Sequence, residues 1–158
     1  IEAKADVACS TPARTSPMFM AIHKGRISCI EILLQAKADV ATRDPVLSTH
    51  LLPMACYSDH AAVIDVLVEA GADPNQKGWR DQSGVHTAAS LGHVDCLKRL
   101  ITAGASPDLV DEDGNTPLSL ARDRGFGPFN SCAAIIHLAS LSATALSAAE
   151  LLATADAA

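Results

Sequence analysis

Aromatic residues are scarce: Phe, Trp and Tyr together number five in 158 residues. Almost half of the chain is hydrophobic, so a core can form. It has to be built from Ala, Leu, Ile and Val, which suits thin, closely packed helices better than a thick globular centre. No run of about 18 apolar residues occurs, so no membrane insertion is expected. No charged-then-apolar leader opens the chain, and no secretory signal is visible. Cysteine never falls in a CxxC pair: Cys9, Cys29, Cys56, Cys96 and Cys132 are odd in number and scattered. That argues against a disulfide framework and a structural zinc site. It favours a reducing compartment, cytoplasm or nucleus; an organelle reached through a cleaved presequence stays open.

Basic charge is short as well. The net charge is −6, and from Leu100 onward Arg122 and Arg124 stand against seven acidic residues. Nucleic acid is disfavoured, because phosphate contacts need clustered Lys and Arg. Binding to an anionic membrane surface is disfavoured on the same ground. No Walker-type loop, H-E-x-x-H or G-x-S-x-G is present. The sequence therefore points to no catalytic residue, no cofactor and no metal. Asp111-Glu112-Asp113 lacks the loop spacing and closing Glu of a calcium site and reads as a solvated turn.

What the chain does have is a period. Ala-Lys-Ala-Asp-Val occurs at Ala3–Val7 and again at Ala36–Val40, 33 residues later. Ala70-Gly71-Ala72-Asp73-Pro74 and Ala103-Gly104-Ala105-Ser106-Pro107 continue the series. Anchors at Lys4, Lys37, Gly71 and Gly104 step by 33, 34 and 33. So regular a spacing means one supersecondary unit stacked on itself.

Each unit carries the same punctuation. Ser16, His50, Ser83 and Thr116 stand at a helix start, where Ser or Thr caps orphan N–H groups and a following Pro suits the first turn. Small pairs follow: Ala21-Ile22, Ala55-Cys56, Ala88-Ala89 and Ala121-Arg122. A break comes at Gly25, Asp59, Gly92 and Gly125, where Gly ends a helix in the left-handed conformation. A second helix then places apolar residues at helical spacing, as in Ile27, Ile30, Leu33 and Leu34. A polar connection of turn residues leads to the next cap. Cys29 and Cys96 share a register position and, with Cys56, read as small buried packing groups.

The unit of helix, turn, helix and extended turn resembles the ankyrin repeat. The match is carried by His86-Thr87-Ala88-Ala89-Ser90-Leu91-Gly92-His93, by Asp111-Glu112-Asp113-Gly114-Asn115-Thr116-Pro117-Leu118, and by Gly71-Ala72-Asp73-Pro74-Asn75. It implies an all-α solenoid over residues 1–138: a partial first repeat at 1–10, then helix pairs at about 15–37, 49–71, 82–104 and 115–138. It also implies that His86 ties neighbouring repeats together by hydrogen bonds. Asn75 is weakly similar to sites of asparaginyl hydroxylation in the family, with Pro74 departing from the pattern. His50-Leu51-Leu52-Pro53 lacks the usual cap and Asp59 replaces Gly, so the second pair is expected to be distorted at its first helix. Gly125-Phe126-Gly127-Pro128-Phe129-Asn130 is expected to displace and shorten the helix near Ser131–Leu138. A charge at Arg122 suits a terminal cap. Residues 139–158 hold nine Ala, and Ser147-Ala148-Ala149-Glu150 reads as a capping box for a further helix. The chain lacks an initiator Met and begins on the end of a repeat, so it is expected to be an excerpt of a longer protein.

For function, the resemblance implies a non-catalytic protein–protein interaction module. Repeat arrays hold protein partners on a long concave surface. Contacts are expected at turn tips (Arg43, Asp44, Lys77, Trp79, Arg80, Asp81, Glu112, Asp113) and first-helix positions (His23, Lys24, Tyr57, Ser58, Ser90, Leu91, Asp123, Arg124). Trp79 stands out as the sole Trp, in a turn between Gly78 and Arg80; it either anchors a partner or folds back over its own turn. Two alternatives stay open: a scaffold subunit built into a large assembly, and the regulatory or substrate-recruiting arm of an enzyme whose catalytic domain lies outside this chain.

Overall fold

A computed structural model of the chain describes residues 16–43, 48–123 and 130–142. Eight α-helices occupy them: α1 (Pro17–His23), α2 (Ile27–Gln35), α3 (Leu51–Tyr57), α4 (Ala61–Glu69), α5 (Gly84–Leu91), α6 (Val94–Thr102), α7 (Pro117–Asp123) and α8 over 130–142. No strand occurs among the described residues; isolated bridges Arg43–His50 and Lys77–Ser83 close the bases of two turns. The expected all-α solenoid is what the chain forms.

The helix starts follow from their caps. The Ser16 hydroxyl accepts the Phe19 N–H at 3.4 Å, with Pro17 in the first turn. At α5 the Ser83 N–H and Ser83 hydroxyl both reach His86 Nδ1, at 3.2 and 2.9 Å. At α7 Thr116 and Ser119 cap each other: the Ser119 N–H donates to Thr116 Oγ1, and the Thr116 N–H to Ser119 Oγ. The second pair corrects an expectation. α3 has no side-chain cap, yet it is as long as α1, at seven residues. Pro53 falls in the first turn, where its missing N–H would have had no helical partner. Asp59 adopts φ 56°, beside 63° at Gly25 and 76° at Gly92, so the break keeps its geometry with a side chain present.

Second helices end in the same way, at Lys37 (φ 65°), Gly71 (92°) and Gly104 (88°). α8 runs on to residue 142, so the helix expected to end near Leu138 is longer at that end, and 139–142 continue it. The Ser147–Glu150 capping box lies outside the described residues, as do Asp44 and residues 124–129.

Packing is serial. α1 lies on α3, α3 on α5 and α5 on α7; behind them α2 lies on α4 and α4 on α6. Ala55, Ala88, Ala89 and Ala121 are buried between the first helices and let them approach closely. Ile22, Ile30, Leu52, Ile64, Leu67, Leu97, Leu100 and Ile136 fill the seam between the layers. Each such side chain contributes roughly 1.5–3 kcal/mol on burial. His60 Nε2–H donates to the His23 carbonyl at 3.2 Å, and His93 Nδ1–H to the Cys56 carbonyl at 2.7 Å.

Candidate partner-binding face

The turn between α4 and α5 is a finger built at close quarters. A Cβ on Gly78 would lie 2.5 Å from Thr49 Oγ1 and 3.3 Å from the Thr49 Cα, so this backbone rests closely on the preceding unit and a side chain here would have to push Thr49 aside. The Gly78 N–H bonds the Gln82 carbonyl at 2.8 Å, and the Gln82 N–H closes a tight turn on the Trp79 carbonyl at 3.2 Å. Arg80 and Asp81 both take positive φ, 54° and 57°, a conformation that costs non-Gly residues of order 1–3 kcal/mol each and persists only where the surroundings fix it. The next finger supplies that fixation. The Glu112 N–H donates to the Arg80 carbonyl at 3.0 Å, and the Arg80 guanidinium pairs with Asp113. Lys77 Nζ reaches Asp81 at 3.5 Å and the Val110 carbonyl at 3.4 Å. Arg80 also lies over the Trp79 ring, 5.3 Å from its centroid, within cation–π range.

Trp79 is 62% exposed and Tyr57 63%. Between them runs a groove of about 520 Å³ floored by Pro53, Met54 and Leu91. Three of the polar side chains along it are engaged within the protein. Gln82 Nε2 donates to Asp111, the Thr87 hydroxyl to the Ser83 carbonyl, and the Ser90 hydroxyl to the Thr87 carbonyl. What the groove offers is therefore mostly apolar surface and two aromatic faces.

Of the residues picked from sequence, Tyr57, Trp79, Ser90 and Leu91 meet in this groove. Lys77, Arg80, Asp81 and Asp113 form the charged tips of two adjoining fingers, with exposed Glu112 beside them. His23 and Lys24 are exposed at the end of α1, and His23 Nδ1 lies 3.1 Å from the Ser58 hydroxyl. Arg43 is exposed and donates from Nε to the Ser48 carbonyl. Asp44 lies outside the described residues. Pro53, Met54 and Thr87 were missed. The signal was available: Pro53 and Met54 precede Tyr57 by four and three residues, and Thr87 precedes Leu91 by four, so each shares its helix face.

Two expectations are overturned. Asp111 is no solvated turn residue: it is 5% exposed. Its carboxylate accepts the Asp113 and Asn115 N–H groups, the Asn115 amide and the Gln82 amide. Burial alone pushes its pKa up, but these donors outweigh it and hold the carboxyl below the usual range. Cys29 is exposed although Cys96, in the same register, is buried. Cys96 is covered by the preceding unit, where its thiol donates to Asp59 at 3.6 Å, and no described residue precedes Cys29 in that way. Cys56 is buried as expected; its hydrogen bond with Cys96 and its burial push the thiol well up, so it stays protonated and inert. His86 is buried and its Nε2–H donates to the Asn115 carbonyl at 3.2 Å, the tie between repeats that the resemblance implied. Among the described residues no cluster could hold a metal ion, and no helix is long and apolar enough to cross a membrane.

Comparison with known proteins agrees with this architecture. The family description "Ankyrin repeats (3 copies)" matches residues 52–145. The chain is 37% identical over 135 residues to the E3 ubiquitin-protein ligase Ufd4 of Drosophila melanogaster, covering 80% of this chain and 5% of that protein. It is 41% identical over 115 residues to the E3 ubiquitin-protein ligase hecd-1 of Caenorhabditis elegans, covering 73% of this chain and 4% of that protein. Against the putative ankyrin repeat protein YahD of Escherichia coli it is 29% identical over 132 residues, 80% of this chain and 65% of that protein. The chain thus spans only a small part of the length of the two ligases.

Proposed function

This chain belongs to the ankyrin-repeat family, and from that premise we propose that it captures a partner protein on its concave face and finger tips. Ankyrin repeats are protein–protein interaction modules and are themselves non-catalytic. The observation that supports this face is the groove between Tyr57 and Trp79: two large aromatic rings stay exposed, and the neighbouring finger holds Arg80, which lies over the Trp79 ring. Exposed aromatics on a rigid support are the typical anchors of an interface. Rim charges at Lys24, Arg43, Asp81 and Glu112 would steer the encounter more than they strengthen the complex.

The test is capture of partners by the full chain, with contacts mapped by crosslinking and mass spectrometry. Trp79→Ala and Arg80→Glu should each reduce capture severalfold while helix content stays constant. Undiminished capture by both variants, or crosslinks confined to the α2–α4–α6 side, rejects the concave face.

A second reading has its own support. The chain is similar to a short segment of the much longer E3 ubiquitin-protein ligases Ufd4 and hecd-1. On that reading the array is the substrate-recruiting arm of an enzyme and the chemistry lies elsewhere in the polypeptide. The reading frame around the segment decides it: a frame without a ligase domain ends this second reading.

A further inference from the structure

Residues 77–82 are held by four contacts from the next finger, and these come from consecutive positions. The Lys77 ammonium reaches the Val110 carbonyl at 3.4 Å, and the Gln82 amide donates to buried Asp111 at 3.2 Å. The Glu112 N–H donates to the Arg80 carbonyl at 3.0 Å, and Asp113 pairs with the Arg80 guanidinium. Arg80 is thus fixed through backbone and side chain at once, with its guanidinium over the Trp79 ring. Asp113 is anchored in turn, because its N–H donates to the Asp111 carboxylate at 3.0 Å. One chain of contacts therefore runs from buried Asp111 through Asp113 and Arg80 to exposed Trp79. The tip at its end does not favour its own shape. Arg80 and Asp81 both hold positive φ, a pairing for which tight hairpin turns favour Asn and Gly. Gly114 stands 33 residues after Asp81, at the same position of the next finger, and meets that need there with φ 78°.

From this we propose that Trp79 is a latched anchor and that Asp113 is its positioning residue. While the finger between α6 and α7 clasps Arg80, the strained tip holds Trp79 at the rim of the groove. When the clasp is lost, Arg80 and Asp81 relax toward negative φ and Trp79 leaves the rim. The proposal rests on the reading that this face binds a partner and adds what controls its larger aromatic. Left-handed residues persist only where their surroundings fix them, and here those surroundings belong to another unit. An exposed ion pair contributes little to stability by itself. Its work here is orientation: it aims a guanidinium whose backbone is already pinned by the Glu112 N–H. An anchor held in its bound geometry loses less freedom when a partner arrives, and so binds more tightly.

Trp79 is the sole tryptophan, so its fluorescence in the full chain reports this tip alone. Without any partner, Asp113→Asn should increase the nanosecond motion of Trp79 seen by time-resolved anisotropy. Roughly 1 M salt, which shortens screening to about 3 Å, should move the unaltered protein the same way. Asp113→Glu should keep part of the original signal. Asp81→Gly removes strain from the tip, so adding it to Asp113→Asn should bring the motion back toward the unaltered level. Asp81 and Asp113 are exposed, so circular dichroism should stay constant throughout. In the crosslinking capture assay, Asp113→Asn should lose capture severalfold and the double variant should regain it. Unchanged anisotropy in Asp113→Asn, or no recovery in the double variant, overturns the latch. Loosened Trp79 with undiminished capture overturns the role of Asp113 in binding. If capture still depends on Trp79 in that case, the broader reading of the face stands; if Trp79→Ala also captures normally, both fall.

Discussion

His93 Nδ1 lies 2.7 Å from the carbonyl oxygen of Cys56. A related contact occurs one unit earlier, where His60 Nε2 lies 3.2 Å from the His23 carbonyl, one residue further along its helix. In each case an imidazole at the start of a second helix satisfies a carbonyl near the end of the preceding unit's first helix. Four C-terminal carbonyls of a helix lack internal partners, and helices of seven residues leave a large fraction of them open. Cross-unit imidazoles therefore do for this array what longer helices do for themselves. His93→Ala should leave the Cys56 carbonyl with only the longer bond from the Asp59 N–H, at 3.3 Å, and destabilise the protein by about 1 kcal/mol, read as a lower midpoint in urea. His93→Asn, which can still donate, should recover part of the loss.

His86 makes stability depend on pH. Burial lowers its pKa, and its bond to the Asn115 carbonyl only partly offsets that. The unfolded chain takes up a proton near the ordinary imidazole value of about 6.5, whereas the native state resists it until a lower pH. Stability is thus complete above that value and falls as pH drops through it. Melting temperature should decline between roughly pH 7 and 5, and His86→Gln should flatten that decline. A decline equally steep in the variant would assign it to other groups.

Asp111 acts in a more acidic window and through different partners. With its folded pKa lowered, its contribution is present above the usual carboxylate value of about 3.9 and is lost as pH falls through the folded value. At neutral pH, Asp111→Ala strands the donors of Gln82, Asp113 and Asn115 and should cost about 2 kcal/mol or more. The exposed neighbour Glu112 is the control: Glu112→Ala should shift stability by less than about 0.5 kcal/mol. Chemical denaturation of the two variants side by side separates them.

The contrast between these adjacent acids shows where the sequence is legible. Spacing and cap chemistry act within a few residues, so the period, the helix starts at Ser16, Ser83 and Thr116, and the breaks at Gly25 and Gly92 could all be read along the chain. Asp111 and Glu112 differ through the turn that folds the Asp113 and Asn115 donors back onto one of them, and through Gln82, which the stacking brings to that one and not to the other. Cys29 and Cys96 look alike in register because the difference between them is the neighbour that covers Cys96. The groove was half legible: Tyr57 and Trp79 stood out as rare aromatics, but Met54 and Thr87 are ordinary helix residues until the stacking of α3 on α5 places them side by side.

Lys37 offers a clean measurement of backbone strain. It holds φ 65° at the position where Gly71 and Gly104 hold 92° and 88°. An L-residue in that region costs roughly 1–2 kcal/mol, while Gly loses more chain entropy on folding, by about 0.5–1 kcal/mol. Lys37→Gly should therefore stabilise the protein slightly, by about 0.5 kcal/mol or a little more. The reverse change, Gly71→Ala, meets no atom within 4 Å of the added Cβ, so its expected loss of about 1 kcal/mol comes from the backbone alone. Thermal melts showing both changes neutral would mean that this turn relaxes to a different conformation.

Thiol reactivity tests the stacking itself. Cys29 is exposed, whereas Cys56, Cys96 and Cys132 are buried. Burial and the Cys96 bond hold the Cys56 thiol in its protonated form, and burial does the same at Cys132. Only a thiolate with access to reagent reacts quickly. In a Cys9→Ser background, which removes the cysteine outside the described residues, a maleimide should label Cys29 rapidly in the native protein. The buried three should label only as the array opens, and denaturant should release them together if the helix pairs unfold as one cooperative unit. Cys56 and Cys96 face each other across the boundary between the second and third pairs. Native labelling of either, at a rate near that of Cys29, would mean that this boundary is open in solution and that the serial packing of α3 on α5 does not hold.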